Sequence, residues 1–391
     1  MALEALEALE YLEYLDSLDH LDYLDHLDSL PLKPANPEMK IAYIMETLAI
    51  CGGLERIMTA KMNYLADNAL CDVVLIEVYD YPGADAFPLS ERVKRIRLGI
   101  KKHSLTIIKP MTFWQVTHRV DEVIRQEKPD VMTSAGLLGV YLYGLRRYPC
   151  RMIYESHQAR FTMPLPWLVR RMEQHVDTVI CLTDGDAQEY KHARRVAVIP
   201  NFIEFPAEAT EKPAGQQQRI VALGRLDRHK GFDLLIRAWH QIQHKMPEYT
   251  LHIYGEGHER NALQALVSSL GLEDSVTLHH ATDNPSAVYR SADIVCVTSE
   301  HEGFSLVIAE AMAHGVPVVA CNVPHGPRHL LGEGRGGLLV SREADDIASA
   351  ILSLAHDRTL HDRLASEGPD IAAQYSRHRI MKMWTEEINN L

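Results

Sequence analysis

The chain predicts an α/β fold of two doubly wound parallel domains facing each other across a cleft, and three observations predict it. Its 391 residues exceed what one hydrophobic core organises. From Met39 onward, short β-branched runs alternate with helical patterns of ten or more residues, as parallel sheets require. The alternation stops at 206–218, a stretch rich in Ala, Glu, Pro, Gly and Gln, and then begins again.

Taken in order, residues 1–38 stand apart. Residues 3–30 repeat Leu-acid-x every three positions, carrying nine acids (Glu4 to Asp28) and no Lys or Arg. A period of three does not hold one helical face, because the leucines drift by about 60° per repeat. The segment could be an acidic helix or a disordered arm. It is followed by Pro31, Pro34 and Pro37, and then by Met39, which reads as a native start feeding a first strand. We read 1–38 as an appended acidic, Leu-rich leader or tag outside the fold, the alternative being a natural arm that binds a partner. Setting its nine acids aside moves the formal charge from −13 to −4, so the body is only mildly acidic.

A first domain is expected over 39–205, with strands at Lys40–Met45, Val73–Val78, Val131–Ser134, Met152–Glu155, Val179–Leu182 and Val196–Ile199. After the linker, a second domain over 219–375 places strands at Ile220–Leu223, Leu251–Tyr254, Val276–Leu278, Ile294–Val297, Val316–Ala320 and Leu338–Val340. Residues 376–391 read as one amphipathic helix crossing back over the domain junction. Ligands of such sheets bind beyond the carboxyl ends of the strands, so two facing sheets put the site between them.

Composition narrows the function. No apolar run is long enough to span a bilayer, and no secretory signal pattern opens the chain. The six cysteines are scattered without a Cys-x-x-Cys pair, and read as reduced core residues of a cytosolic protein. Histidines show no metal-ligand spacing. A basic stretch through Arg92, Lys94, Arg95, Arg97, Lys101 and Lys102, joined by Trp114, Arg146, Arg147, Trp167, Arg170 and Arg171, could dock on anionic lipid, or could be solvated helix faces and edges. No nucleic-acid-binding motif accompanies it.

The chemistry concentrates in Glu302-Gly303-Phe304-Ser305-Leu306-Val307-Ile308-Ala309-Glu310. A helix starting near Ser305 points free N–H groups at the loop holding Glu302, which makes an anion site. A carboxylate beside an anion site fits a ligand with both hydroxyls and phosphate. The alternative is a buried helix with a Glu at each end. Gly224-Arg225 and Lys230-Gly231 emerge at a strand end in the same layer, supplying cations for a diphosphate. Gly255 and Gly257 form a further strand-end turn. From the first domain, Gly52 and Gly53 allow close backbone approach, and His157 follows a strand. The Gly52-Gly53 run is neither Gly-x-Gly-x-x-Gly nor a Walker loop. Asp184-Gly185-Asp186 could hold a divalent metal, but Thr183 to Asp186 reads better as a helix cap.

Together these residues resemble the family 4 retaining glycosyltransferases of the GT-B fold, built of two Rossmann-like domains. The motifs are Gly52-Gly53-Leu54-Glu55-Arg56, Gly224-Arg225 with Lys230-Gly231-Phe232, Tyr254-Gly255-Glu256-Gly257, and Ser299 to Pro317 with its two glutamates. Val198-Ile199-Pro200-Asn201 also matches. Gly326-Pro327-Arg328 before Gly336 to Val340 is similar to bacterial enzymes that build lipopolysaccharide, capsule or O-antigen. Ser305 and His314 depart from the Gly and Cys frequent there.

The resemblance implies a role for each position. Glu310 would bind ribose hydroxyls, Glu302 the transferred sugar, and the amides of Gly303, Phe304, Ser305 and Leu306 the sugar and diphosphate. Arg225 and Lys230 would neutralise the leaving diphosphate, with Gly224, Gly255 and Gly257 shaping the donor pocket. Gly52 and Gly53 would close the cleft, and His157 would lie near sugar and acceptor. The donor would be a nucleotide diphosphate sugar, UDP being the commonest in the family, with no metal and no cofactor. The acceptor would be a saccharide or a lipid-linked molecule, met in the cytoplasm or at the cytoplasmic face of the inner membrane. Rival readings are a GT-B-like nucleotide-sugar epimerase and a non-catalytic polysaccharide-assembly scaffold.

Overall fold

The structure is a computed structural model that describes residues 39–101, 110–206, 218–332 and 334–390. The acidic leader over 1–38 and most of the expected linker lie outside the described residues. Two parallel sheets organise the chain. The first has seven strands in the order β3-β2-β1-β4-β5-β6-β7. These are β1 (Lys40–Met45), β2 (Asp72–Asp80), β3 (Lys94–Lys101), β4 (Val131–Ala135), β5 (Arg151–Ser156), β6 (Thr178–Cys181) and β7 (Val196–Val198). The second has six in the order β10-β9-β8-β11-β12-β13. They are β8 (Gln218–Leu223), β9 (Tyr249–Tyr254), β10 (Val276–His279), β11 (Ile294–Val297), β12 (Val318–Cys321) and β13 (Gly337–Val340). In both sheets the order reverses beside the first strand, between β1 and β4 and between β8 and β11, which is where doubly wound sheets open a crevice.

The crossover helices of the first half are α1 (Gly53–Asp67), α2 (Pro110–Glu127), α3 (Gly136–Leu145), α4 (Pro166–His175) and the single turn α5 (Asp184–Ala187). In the second half they are α6 (Phe232–Ile242), α7 (Arg260–Ser269), α8 (Pro285–Ser291), α9 (Leu306–Ala313), α10 (Gly326–Leu331), α11 (Ala344–His356) and α12 (Arg358–Ala372). The last helix, α13 (Arg377–Asn389), returns to the first sheet's side. Its Trp384 ring lies 3.8 Å from the Lys61 ammonium of α1, and its Glu387 pairs with Arg195 at 2.7 Å. One apolar cluster joins Met58 and Met62 of α1, Ala309 and Met312 of α9, and Met381 and Trp384 of α13, so the two halves share a core. All these side chains are buried, and burial of such apolar area is the main attraction between the halves.

Every expected strand is present within two residues of its expected ends. The seventh strand of the first sheet, β3, was not among them. Its run Lys-Arg-Ile-Arg-Leu-Gly-Ile-Lys alternates charge with apolar residues, the habit of an exposed edge strand, and the basic reading hid it. That reading needs correcting in part. Arg95 is bonded to Glu77 and Asp85, Arg97 to Glu77, and Lys94 to Glu127, so much of the charge is already paired. Lys102 lies outside the described residues. Trp114 and Trp167 are exposed. Among the described residues no helix is long and apolar enough to cross a membrane. Four cysteines are buried as expected, but Cys51, just before α1, is exposed.

Candidate active site

The second domain supplies one charged cluster at the ends of β8 and β11. Chain direction turns at Gly224 (φ 155°), and a short turn over Arg228–Lys230 leads to Gly231 (φ 67°) and α6. Gly231 has no room for a side chain, because a Cβ there would lie 2.3 Å from the Thr298 carbonyl oxygen. Thr298 in turn donates its hydroxyl to the carbonyls of Lys230 and Gly231, at 3.0 and 2.9 Å. This packing fixes the Lys230 backbone against the end of β11. From there the Lys230 ammonium reaches Glu302 Oε1 at 2.6 Å, and the Ser299 hydroxyl donates to the same oxygen at 2.7 Å. Burial alone would raise the Glu302 carboxyl, but Lys230 and Ser299 outweigh it and hold it below its ordinary value. Burial and the neighbouring Lys230 push His229 down. Arg225 is more exposed and turns back to Asp227 at 2.8 Å, so it is not bonded to Glu302.

Glu310 forms a second cluster, within α9. This helix is apolar almost all round and correspondingly buried, so Glu310 must find partners inside it. The Tyr289 hydroxyl of α8 donates to Oε2 at 2.8 Å. Arg56 of α1, from the first domain, donates to Oε1 across the cleft. Burial would lower the Arg56 guanidinium, but the Glu310 charge more than compensates and raises it. Neither Arg56 nor Tyr289 was assigned a role from the sequence. The helix starts at Ser305, which adopts left-handed backbone (φ 73°), so the first amides of α9 are directed by a strained residue.

The two domains touch at backbone level beside these clusters. A Cβ on Gly303 would meet the His157 carbonyl oxygen at 2.8 Å, so this glycine lets the Glu302 loop approach the end of β5. Gly53 faces Leu306 at ordinary contact distance, and Gly52 caps α1. The His157 ring is bonded through Nε2 to Glu155 Oε2 at 3.2 Å. Thus Lys230, Glu302, Gly303, Ser305, Leu306, Glu310, Gly53 and His157 are brought to one junction. Gly255 and Gly257 pack against Gly224 and Leu226 so tightly that a Cβ would strike their carbonyl oxygens, so packing alone accounts for both glycines.

The Asp-x-Asp segment is a cap, with the Thr183 hydroxyl accepting from the Asp186 amide at 3.2 Å. Folding nevertheless adds what the sequence separates. Glu189 and, from the second domain, His325 come close enough to Asp186 that the three could hold a metal ion. Here Asp186 accepts from Ser156 at 2.7 Å and from the Arg160 amide at 3.2 Å, while His325 faces Glu189 at 3.2 Å.

Two parallel sheets whose strand ends meet over cation-paired carboxylates and a helix start define a GT-B architecture. A family model described as Glycosyltransferase Family 4 matches residues 51–205, and one described as Glycosyl transferases group 1 matches residues 206–370. Together the two models span residues 51–370, and the chain is a glycosyltransferase. It is 25% identical to an uncharacterized glycosyltransferase of Haemophilus influenzae, over 88% of this chain and 98% of that one. It is 27% identical to the lipopolysaccharide core biosynthesis glycosyltransferase LpsE of Rhizobium meliloti, over 84% and 93% of the two chains. In fold it is similar to Anabaena Alr3699/HepE in complex with UDP and glucose, with a TM-score of 0.71, 20% identity, and 90% and 100% coverage.

Proposed function

We propose that the protein is a retaining glycosyltransferase that moves a hexose or N-acetylhexosamine from a UDP-sugar to a saccharide or lipid-linked acceptor in cell-surface polysaccharide synthesis. The observation that carries the reading is the pairing of Lys230 with Glu302 at the strand ends of one domain, opposite Arg56 and His157 of the other. LpsE acts in lipopolysaccharide core synthesis, and the HepE structure holds UDP and glucose, which supports the donor and pathway classes.

In this reading Glu302 binds hydroxyls of the transferred sugar and Glu310 those of the ribose. The first amides of α9 face the diphosphate, with Lys230 and Arg225 beside it. As the glycosidic C–O bond breaks, positive charge grows on the sugar and negative charge on the diphosphate. Fixed cations and amides act where that charge develops. No second carboxylate is assigned as a covalent nucleophile. The departing phosphate oxygen takes the acceptor hydroxyl's proton on the same face, so the anomeric configuration is kept.

The test is a panel of nucleotide sugars, screened by thermal shift because a bound donor stabilises the fold, and then by transfer. NMR of the product should show the donor's anomeric configuration. An inverted product would refute retention, and hydrolysis or isomerisation without transfer would refute the transferase reading of the site.

A further inference from the structure

The first domain buries a full ion pair directly behind His157. Lys61 sits on the inner face of α1 between Met58 and Met62, and Glu155 is the penultimate residue of strand β5; both side chains are at most 2% exposed. The Lys61 ammonium donates to Glu155 Oε2, and the His157 ring meets that same oxygen through Nε2 at 3.2 Å. Thr133 of β4 donates to the other oxygen, Oε1, at 2.9 Å. On its far side the ammonium lies against the Trp384 ring of α13. Burial would raise the Glu155 carboxyl, yet Lys61 and His157 outweigh it and bring it down to about 2.

Two charges in an apolar core rarely add net stability over apolar residues of similar volume. The glycosyl-transfer roles assigned above use neither residue. What the pair does accomplish is geometric. An ionised carboxylate accepts only, so the ring nitrogen that faces it, Nε2, must carry a proton, and of the two neutral tautomers the one that fits keeps its lone pair on Nδ1.

The geometry points to Glu155 and Lys61 as positioning residues for His157: Lys61 keeps Glu155 ionised and fixed, and Glu155 holds the ring in the Nε2–H tautomer, with Nδ1 as the acceptor for a substrate hydroxyl. This rests on the proposed transfer site as far as the substrate is concerned; the tautomer does not. Such support behind a histidine is worth roughly 10–100-fold where it has been removed from ligating rings.

The experiment compares wild type, Glu155→Gln, the neutral pair Lys61→Met/Glu155→Gln, and His157→Ala. The double variant guards against misfolding from a lone buried charge. Ring ¹⁵N shifts of His157 should report Nε2–H in the wild type and a mixture or Nδ1–H in the double variant. With a transferable sugar, kcat should fall about 10–100-fold while donor KM stays near wild type. Adding His157→Ala to the double variant should cost no more than His157→Ala alone. An unchanged tautomer, or losses that simply multiply, overturns the proposal. A changed tautomer with wild-type transfer by His157→Ala upholds the hold on the ring and overturns its part in the reaction.

Discussion

Replacing Lys230 by Met removes one charge and little volume from the cluster on which the proposed chemistry depends. Lys230 and Glu302 are 21% and 13% exposed, and their atoms lie 2.6 Å apart. Leaving a buried carboxylate without its cation costs ~3–5 kcal/mol, and partial exposure plus the surviving Ser299 bond bring this to about 2 kcal/mol. The pH dependence should change sign as well. In the wild type the Glu302 carboxyl is depressed below 4.5, so its contribution is present above that value and lost as pH falls through the folded pKa. In Lys230→Met burial is no longer outweighed, the carboxyl rises, and stability falls as pH rises. Urea unfolding midpoints measured from pH 3 to pH 8 read this directly. Turnover should drop by roughly 10²–10³, the loss typical of one preorganised group facing developing charge. Lys230→Met/Glu302→Gln should recover the stability but not the turnover. Wild-type turnover in that double variant, or a wild-type pH slope in the single one, would refute the reasoning.

Three further outcomes follow from the same contacts. Glu310→Ala leaves the Arg56 guanidinium and the Tyr289 hydroxyl without their acceptor and should cost about 2–3 kcal/mol, Glu310→Gln less, with thermal stabilisation by UDP weakened in both. Gly303→Ala places a Cβ 2.8 Å from the His157 carbonyl oxygen, and because backbone cannot yield locally, transfer should fall by roughly 10²-fold at nearly unchanged circular dichroism. Thr183→Ala removes the cap of α5 and should lower stability by about 1 kcal/mol while leaving kcat intact; a large loss of kcat would instead make the Asp186 segment part of the site.

The fold was legible because parallel strands buried on both faces are written as short apolar runs, and such runs fill both halves of the chain. β3 escaped because an edge strand reads as charge alternating with apolar residues. In the site, the glycines and carboxylates of the second domain lie close together in sequence and could be read as a motif. Partners supplied by folding could not. Arg56 and Glu310 are separated by 254 positions, and His325 reaches Asp186 from the other domain. Lys61 and Glu155 did leave a signal. Met58, Lys61, Met62 and Leu65 share one helical face, and Glu155 ends the run Met152-Ile153-Tyr154. Opposite charges on two faces that must both be buried have to find each other.

The two glutamates eight positions apart are held in different ways, and the difference bears on how a closed cleft would work. Glu302 takes its cation from Lys230 of its own domain, so that pair persists however the domains stand. Glu310 takes one partner, Tyr289, from its own domain and the other, Arg56, from the facing one. Parting the domains therefore breaks the second ion pair and not the first. A carboxylate proposed to hold ribose is then fully oriented only when α1 has come down on α9, while the Lys230 cluster is ready beforehand. The buried Lys61, five residues further along the same helix, reaches His157 through Glu155. Helix α1 thus carries two links into the junction, one to Glu310 and one, through Glu155, to His157, and α13 packs over it through Trp384.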